Sequence, residues 1–410
     1  VRRYLVSAIE QALWSALNLG VNLILIRLAA PAAFGAFAFW MACAFVISSI
    51  QNAVSVCHLQ VLAPGDGLAP NRLPVERLMH RVTAVYLVVC GLGVALVVAL
   101  FARTAPGLAD WGAAAFVPAF LAQQYARSLA FTRGQPTVAA IQTGAVSALS
   151  GVLLIPAWIV AGVNAETTLF ALAGAYALVA AVSLARATRG QFAGTSWREL
   201  RGYGAYARLS AWVFLGVSTT ELQARFYAFA TTAFLGPAGL APLAATQQFQ
   251  RPVALVASSW SQVARADLAG KRDHADLAGF RRVLTWTVVG GSVAAAGWGA
   301  MVWLGWPWLS RVLFAGRYLS EGVLVGLWGI AGAIGFGQTV ASAGLQALKA
   351  FKALAIINAI ASAAAAGAIL LLLPRLGGAG AIMGTSVGQA LELILMAVLL
   401  MRRLAAGLSA

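Results

Sequence analysis

Apolar stretches of about twenty residues, such as AVYLVVCGLGVALVVALFA (Ala84–Ala102), recur from one end of the sequence to the other. Each can cross the ~30 Å hydrocarbon core of a bilayer as a helix. Composition agrees: 61% of residues are hydrophobic and 10% charged, with a mean hydropathy of +0.84. A soluble domain carries roughly a quarter charged residues, so the soluble class is excluded. The net charge of +16 would point to nucleic acid in a soluble protein; here it marks basic loops on one side of a membrane.

Apolar windows punctuated by Gly, Pro and charge predict twelve spans. The first six lie at about 10–30, 36–58, 81–102, 111–130, 138–162 and 167–186. The second six lie at about 208–235, 239–262, 283–305, 322–345, 352–373 and 379–401. Connections are short except near 59–80, 187–207 and 263–281; on the opposite side the longest loops are about 103–110 and 306–321. With the N-terminus cytoplasmic, most Lys and Arg fall on the cytoplasmic side, including Arg72, Arg77, Arg81, Arg189, Lys271, Arg272, Lys349, Lys352, Arg402 and Arg403. The other side holds Arg103, Arg311, Arg317 and Arg375. That asymmetry predicts both termini inside.

Arg2 and Arg3 precede an apolar run, as in a signal peptide, but the run from about Gln11 to Ala30 exceeds a signal core and is read as a mature helix. Val1 is read as an alternative bacterial start codon heading an intact N-terminus. Cys43, Cys57 and Cys90 lie in apolar segments without CxxC spacing and read as packing residues. His58, His80 and His274 sit at or outside the expected helix ends and form no cluster, so no metal site is expected.

The chain echoes itself. RLAAPAAFGAF ends the first span and AFLGPAGLAPL the seventh, with Pro31 and Pro237 half a chain apart; LLIPAWIVAG after the fifth echoes LLLPRLGGAG after the eleventh. The expected fold is therefore an all-α integral membrane protein, twelve transmembrane helices in two six-helix lobes. The lobes would be parallel repeats around a central cavity. Residues 1–186 form the first lobe, 187–207 a cytoplasmic linker and 208–410 the second lobe.

Polar residues inside the spans fall on single faces. Gln11, Ser15, Asn18 and Asn22 line one face of the first span, and Ser48, Gln51, Asn52 and Ser55 one of the second. Ser218, Glu221 and Arg225 lie on the seventh; Thr246, Gln247, Gln250 and Arg251 cluster in the eighth, before Pro252. The tenth carries Gln338, Ser342 and Gln346, the twelfth Thr385, Gln389 and Glu392. Each stripe alone is explained by interhelical hydrogen bonds, worth ~0.6–2 kcal/mol per contact. Six stripes over two halves point to an aqueous cavity and a polar cargo, with Asn18, Asn22, Gln51, Asn52, Gln247, Gln338 and Gln389 as its lining.

Charge at mid-depth is costly, ~2.5–3.5 kcal/mol even on insertion scales. Arg225 and Arg251 are expected there, with Arg27 toward the outer end of the first span. A guanidinium matches phosphate geometry, so the three are candidate cargo-binding residues for an anionic substrate. The alternatives stay open: Glu221, one turn before Arg225, can simply neutralise it, and Arg27 can snorkel to headgroups. Glu221 and Glu392 are candidates for proton or ion coupling, or counter-ions for arginine.

The segments LILIRLAAPAAFGAFAF (Leu23–Phe39), FLGPAGLAPLAATQQF (Phe234–Phe249) and LPRLGGAGAIMGTSVGQ (Leu373–Gln389) carry a resemblance along essentially the whole chain. LFAGRYLSEGVLVGLWGIAG, before and within the tenth span, adds to it. The chain resembles the Wzx-type polysaccharide-biosynthesis flippases of the multidrug/oligosaccharidyl-lipid/polysaccharide (MOP) superfamily. The resemblance implies a V-shaped pair of lobes around a cationic cavity. It implies flipping of undecaprenyl-diphosphate-linked oligosaccharide across the bacterial inner membrane by alternating access, for O-antigen, capsule or exopolysaccharide synthesis. No cofactor is implied beyond coupling to a proton or sodium gradient. Implied partners are the lipid-linked oligosaccharide, membrane lipids, a polysaccharide polymerase and export machinery, with no nucleic acid. Arg27 matches the family's frequent basic residue before the first turn. An Ala224–Arg225 pair stands where relatives place a charged pair.

Three other classes make different demands on the sequence. A multidrug exporter of the same superfamily would want cavity acids and aromatics. A major-facilitator transporter would want a GxxxDRxGRR-like turn after the second span, where APGDGLAPNRLPVERLMHR stands instead. A membrane enzyme would want a large outer loop bearing catalytic groups, and none is expected.

Overall fold

The computed structural model describes residues 2–63, 65–191 and 197–405, and every regular element among them is helical. The helices of nine residues or more are, in order, α1 (Arg2–Leu28), α2 (Pro31–Gln51), α3 (Leu73–Thr104), α4 (Trp111–Thr132), α5 (Pro136–Ala161) and α6 (Ala165–Ala187). Then come α7 (Gly204–Gln247), α8 (Arg251–Asp273), α9 (Leu277–Leu304), α10 (Trp306–Phe314), α11 (Gly322–Ala347), α12 (Phe351–Leu376) and α13 (Gly378–Ala405). Ten stretches among the described residues are long and apolar enough to cross a membrane. One of them, Trp197–Asp273, is broken at Gly236 (φ 70°, ψ 178°) and resumes at Pro237, so it holds two crossings. α4 has the length but carries Gln123, Gln124, Tyr125 and Arg127, which dilute its apolarity.

The turns follow from local chemistry. Pro31 and Pro237 each open a helical run, where a missing N–H and a fixed φ cost nothing. The α4–α5 and α11–α12 junctions share one capping pattern. Gln135 N–H bonds Ala130 O (2.9 Å) and Gly134 N–H bonds Phe131 O (2.9 Å); Ala350 N–H bonds Leu345 O (2.9 Å) and Lys349 N–H bonds Gln346 O (2.9 Å). Gly134 (φ 75°) and Lys349 (φ 56°) hold the left-handed position this cap requires.

Several ends run beyond the expected spans. α1 begins at Arg2, α3 at Leu73, and α8 continues to Asp273. At α3 the reason is an ion network: the fully buried Glu76 accepts from Arg72 (2.9 Å) and Arg133 (2.5 Å), holding the first turn together. His80 consequently lies inside α3, buried, with Nδ1 2.6 Å from the Tyr125 hydroxyl. His58, buried near the end of the second crossing, has Nε2 2.8 Å from Ser210 Oγ. The expected outer loop 306–321 contains α10, whose Trp306 is buried while Trp308 is exposed.

The chain forms two compact units, Val1–Ser218 and Thr219–Ala410. The border lies after the expected 187–207 linker because that segment is fastened to the first unit. Gln191 is buried and donates to Glu76 (2.9 Å) and Gly67 O (3.1 Å). Glu199 pairs with Arg77 (3.7 Å) and Arg81, and the Tyr203 hydroxyl donates to Val54 O (2.9 Å). Linker residues 192–196 lie outside the described residues.

In the first unit α4 is central, packed on α2, α3, α5 and α6. In the second, α9 crosses α11 where Gly299 meets Gly329, and α12 lies along α13 over Gly380, Gly384 and Gly388. A Cβ on Gly384 would sit 2.5 Å from Ile369 N. Small residues let these backbones touch, which is how helices associate where apolar burial offers no advantage over lipid.

Candidate functional site

Four of the second unit's expected polar residues, Gln247, Gln250, Gln338 and Gln389, meet around one cavity. The path starts at a break: the 3₁₀ turn Gln248–Gln250 precedes α8, whose second residue is Pro252. Proline cannot continue the hydrogen-bond ladder, and Trp298 Nε1 donates instead to Phe249 O (2.7 Å). The break points Gln247 and Gln250 into a cavity of ≈ 280 Å³ whose lining also includes Gln338, Thr339, Gln389 and Ser258. Gly332 leaves space in this wall for the Gln250 amide, which a side chain there would displace.

The cavity's polar atoms are incompletely satisfied. Both Oε1 and Nε2 of Gln250, and Oε1 of Gln389, are buried with no protein partner. Buried amides are normally paired, so these atoms are poised for water or a ligand's hydroxyls. Gln247 is oriented by Tyr227, whose hydroxyl donates to its Oε1 (2.6 Å), and Tyr227 stacks edge-on against Trp328 at 5.3 Å.

Two further groups of the second unit lie outside this lining. Behind the cavity wall, Glu392 is 3% exposed and accepts from Gln338 Nε2. The Asn358 amide, turned to donate, lies 2.6 Å from the other carboxylate oxygen. Gln223 approaches the same carboxylate, yet its Nε2 has no well-placed acceptor. Glu392 forms no ion pair among the described residues; the arginine counter-ion reading for it is not what the structure places there. The second group is cationic. Arg225 bonds Glu221 (Nε to Oε2, 2.7 Å) and keeps 31% of its side chain exposed. The exposed Arg251 lies within electrostatic range of both Arg225 and Tyr227.

The expected residues of the first unit behave differently. Asn18 and Asn22 turn their amides onto their own helix, to Trp14 O (2.9 Å) and Asn18 O (2.7 Å). Gln51 is buried with Nε2 unpaired, and Asn52 opens a π-helical turn, Asn52–Val56. Its extra residue shifts the register so that Ser55 points inward and donates to Gln51 O (3.0 Å). Arg27 is exposed in the last turn of α1.

Sequence reasoning missed several partners. Gln223 and Asn358 belong to no stripe: Gln223 faces away from Glu221, and Asn358 stands alone in an Ala- and Ile-rich helix. Thr339 and Tyr227 gave no signal of their own. In the first unit the buried Glu10 accepts from Arg127 (2.6 and 2.8 Å) and Thr143 (2.6 Å), a link across 117 residues.

No family model matches the sequence, and no curated protein matches it. Solved structures match over nearly the full length. A multidrug resistance MATE family transporter of the MOP superfamily, in its inward-facing conformation, aligns with a TM-score of 0.74 at 12% identity, covering 98% of each chain. The lipid II flippase MurJ, inward closed, aligns at 0.71 and 11% identity over 96% of this chain and 87% of that one. The eukaryotic MATE transporter AtDTX14 aligns at 0.62 and 14% identity, over 98% and 96%. The chain has the fold of these proteins.

Proposed function

We propose that this chain is a MOP-type membrane transporter that flips a lipid-diphosphate-linked oligosaccharide between the leaflets of a bacterial inner membrane, with both termini cytoplasmic. The carrying observation is the chemistry of the second unit: a cavity lined by amides and hydroxyls, with Arg225, 31% exposed beside its Glu221 partner, and the exposed Arg251 next in sequence to the cavity's Gln250. Arg225 and Arg251 take the diphosphate bidentately. Gln247, Gln250 and Gln389 exchange hydrogen bonds with sugar hydroxyls, and the prenyl tail stays in lipid. The described lining residues offer a cationic drug no acid; Glu392 lies behind them, held by Gln338.

Glu392 is assigned the coupling role. A buried carboxylate without a cation is costly, which suits a group that takes up a proton or sodium ion. Gln338 both lines the cavity and donates to Glu392, so cargo and coupling ion compete for one amide. Glu221 tunes Arg225 within the pair. A polymerase and export machinery would receive the flipped unit.

A second reading, drug export, draws on Trp328 and Phe336 in the same wall and on the similar multidrug transporter. Deleting the gene and profiling lipid-linked glycans separates the two. Flipping predicts an accumulated diphosphate-linked repeat unit and lost surface polymer. An unchanged glycan profile with raised drug sensitivity would overturn it.

A further inference from the structure

The first unit carries an open groove of ≈ 780 Å³ between α4, α5 and α6 that belongs to neither the polar stripes nor the second unit's cavity. Its walls are small or branched apolar side chains: Ile141, Ala145, Ala148 and Val152 on α5, Val179 and Val182 on α6. Ile141 and Val152 are about two-thirds exposed, at 66% and 65%, so the groove faces the surroundings of the bundle. Along α5 it runs from Val138 to Val152, ~21 Å at 1.5 Å per residue. One leaflet contributes about half of a ~30 Å hydrocarbon core.

One end of the groove is basic. Arg133 and the exposed Arg186 line it. Arg133 shares a single carboxylate, Glu76, with the buried Arg72, so the cluster is net positive before Arg186 is counted. Six residues into α5, Gln142 also lines the groove; it is 7% exposed and its Oε1 has no partner. A buried amide left open at ~9 Å from the basic end matches the depth of a lipid's ester groups, not of its headgroup. The open Gln142 Oε1 is an acceptor, so a water that donates both to it and to an ester carbonyl bridges the two.

We propose that this groove binds one anionic phospholipid of the adjacent leaflet. Its phosphate lies at Arg186, its ester level at Gln142, and one acyl chain lies along Ala145, Ala148 and Val152. Basic pockets between transmembrane helices recognise anionic headgroups in this way. From Gln142 to Val152 the apolar length is ~15 Å, the depth of a single leaflet. The second unit supplies an internal control. A groove of ≈ 680 Å³ lined by Arg281, Val288, Ala397 and Leu400 is equally apolar, yet none of its lining residues is a buried amide.

The test is native mass spectrometry of the detergent-purified full chain titrated with dioleoyl phosphatidylglycerol or dioleoyl phosphatidylcholine. One phosphatidylglycerol should be retained about fivefold more strongly than phosphatidylcholine, the ratio expected for one basic residue at a lipid surface. Arg186→Gln should erase that preference, Gln142→Leu should weaken both lipids, and Ala148→Trp should prevent retention. Ala397→Trp should leave it unchanged. Should Ala148→Trp fail to fold, the exposed Arg186→Gln variant carries the test alone. Equal retention of the two lipids, normal retention by Ala148→Trp, or displacement by undecaprenyl phosphate would overturn the proposal.

Discussion

The Glu10–Arg127 pair makes the sharpest structural prediction. Glu10 on α1 is 1% exposed and receives both Nε (2.6 Å) and Nη2 (2.8 Å) of Arg127 on α4, plus the Thr143 hydroxyl of α5 (2.6 Å). Arg127 also lies over the Trp14 ring at 5.7 Å and over Phe131 at 5.3 Å. Removing one partner of a buried pair costs ~3–5 kcal/mol, because the other charge is left without compensation. Arg127 keeps 21% of its side chain exposed, so water relieves part of this, and Glu10→Leu should cost about 2–4 kcal/mol. Removing both charges returns most of that loss, since two leucines need no partner. Arg127→Leu, which strands the buried Glu10, should cost about as much, and the double variant Glu10→Leu/Arg127→Leu should lie within about 1 kcal/mol of the parent, a coupling of at least about 3 kcal/mol. Denaturant unfolding of the detergent-solubilised protein, followed by tryptophan fluorescence, measures all three variants. A Glu10→Leu cost below about 1 kcal/mol, or strictly additive losses, would refute a buried, mutually dependent pair.

Three other perturbations follow from local geometry. Gly384→Leu places side-chain atoms against the Ile369 backbone, 2.5 Å from the Cβ position; the α12–α13 contact must open, and thermal unfolding should register a loss of about 1–3 kcal/mol or more. Lys349→Gly relieves a left-handed residue (φ 56°) and should raise the unfolding midpoint by the equivalent of about 1 kcal/mol. Asp110, before α4 and outside the crossings, is buried, and that burial, with the Glu166 charge as second cause, pushes its carboxyl up to about 6 from 3.8. The folded state therefore binds the extra proton between these values, so stability falls as pH rises from 4 to 6 and stays low above. Asp110→Asn should remove that slope and be the more stable form at pH 7, read as unfolding midpoints at pH 5 and 7.

The fold was legible wherever its cause was local. Apolar length fixed the crossings, and Pro31 and Pro237 marked equivalent turns because proline dictates φ wherever it stands. Glu221 and Arg225 were readable as a pair because four residues is one helical turn. Gly380, Gly384 and Gly388 were visible as part of a family-like segment, but their purpose, backbone contact with α12, needed the partner helix. α10 escaped notice because nine amphipathic residues carry too little apolar length to register as a span. The candidate site divides the same way. Gln247, Gln338 and Gln389 stood on polar faces and do line one cavity. Gln223, Asn358 and Glu10 find their partners on other helices, at separations no periodicity encodes. Asn18 and Asn22 show the converse: a polar stripe can be spent on its own backbone.

In the proposed mechanism, guanidiniums of the second unit hold a lipid-linked diphosphate while it crosses. This is tested most directly by reconstituting the purified chain in liposomes with a fluorescent polyprenyl-diphosphate disaccharide and following its appearance in the opposite leaflet by dithionite quenching. Wild-type protein should flip this lipid under an imposed proton or sodium gradient, and Arg225→Ala should lose at least tenfold in rate with the same amount of folded protein. Flipping at the wild-type rate by Arg225→Ala, or flipping by neither protein while an organic cation is transported, would contradict the account.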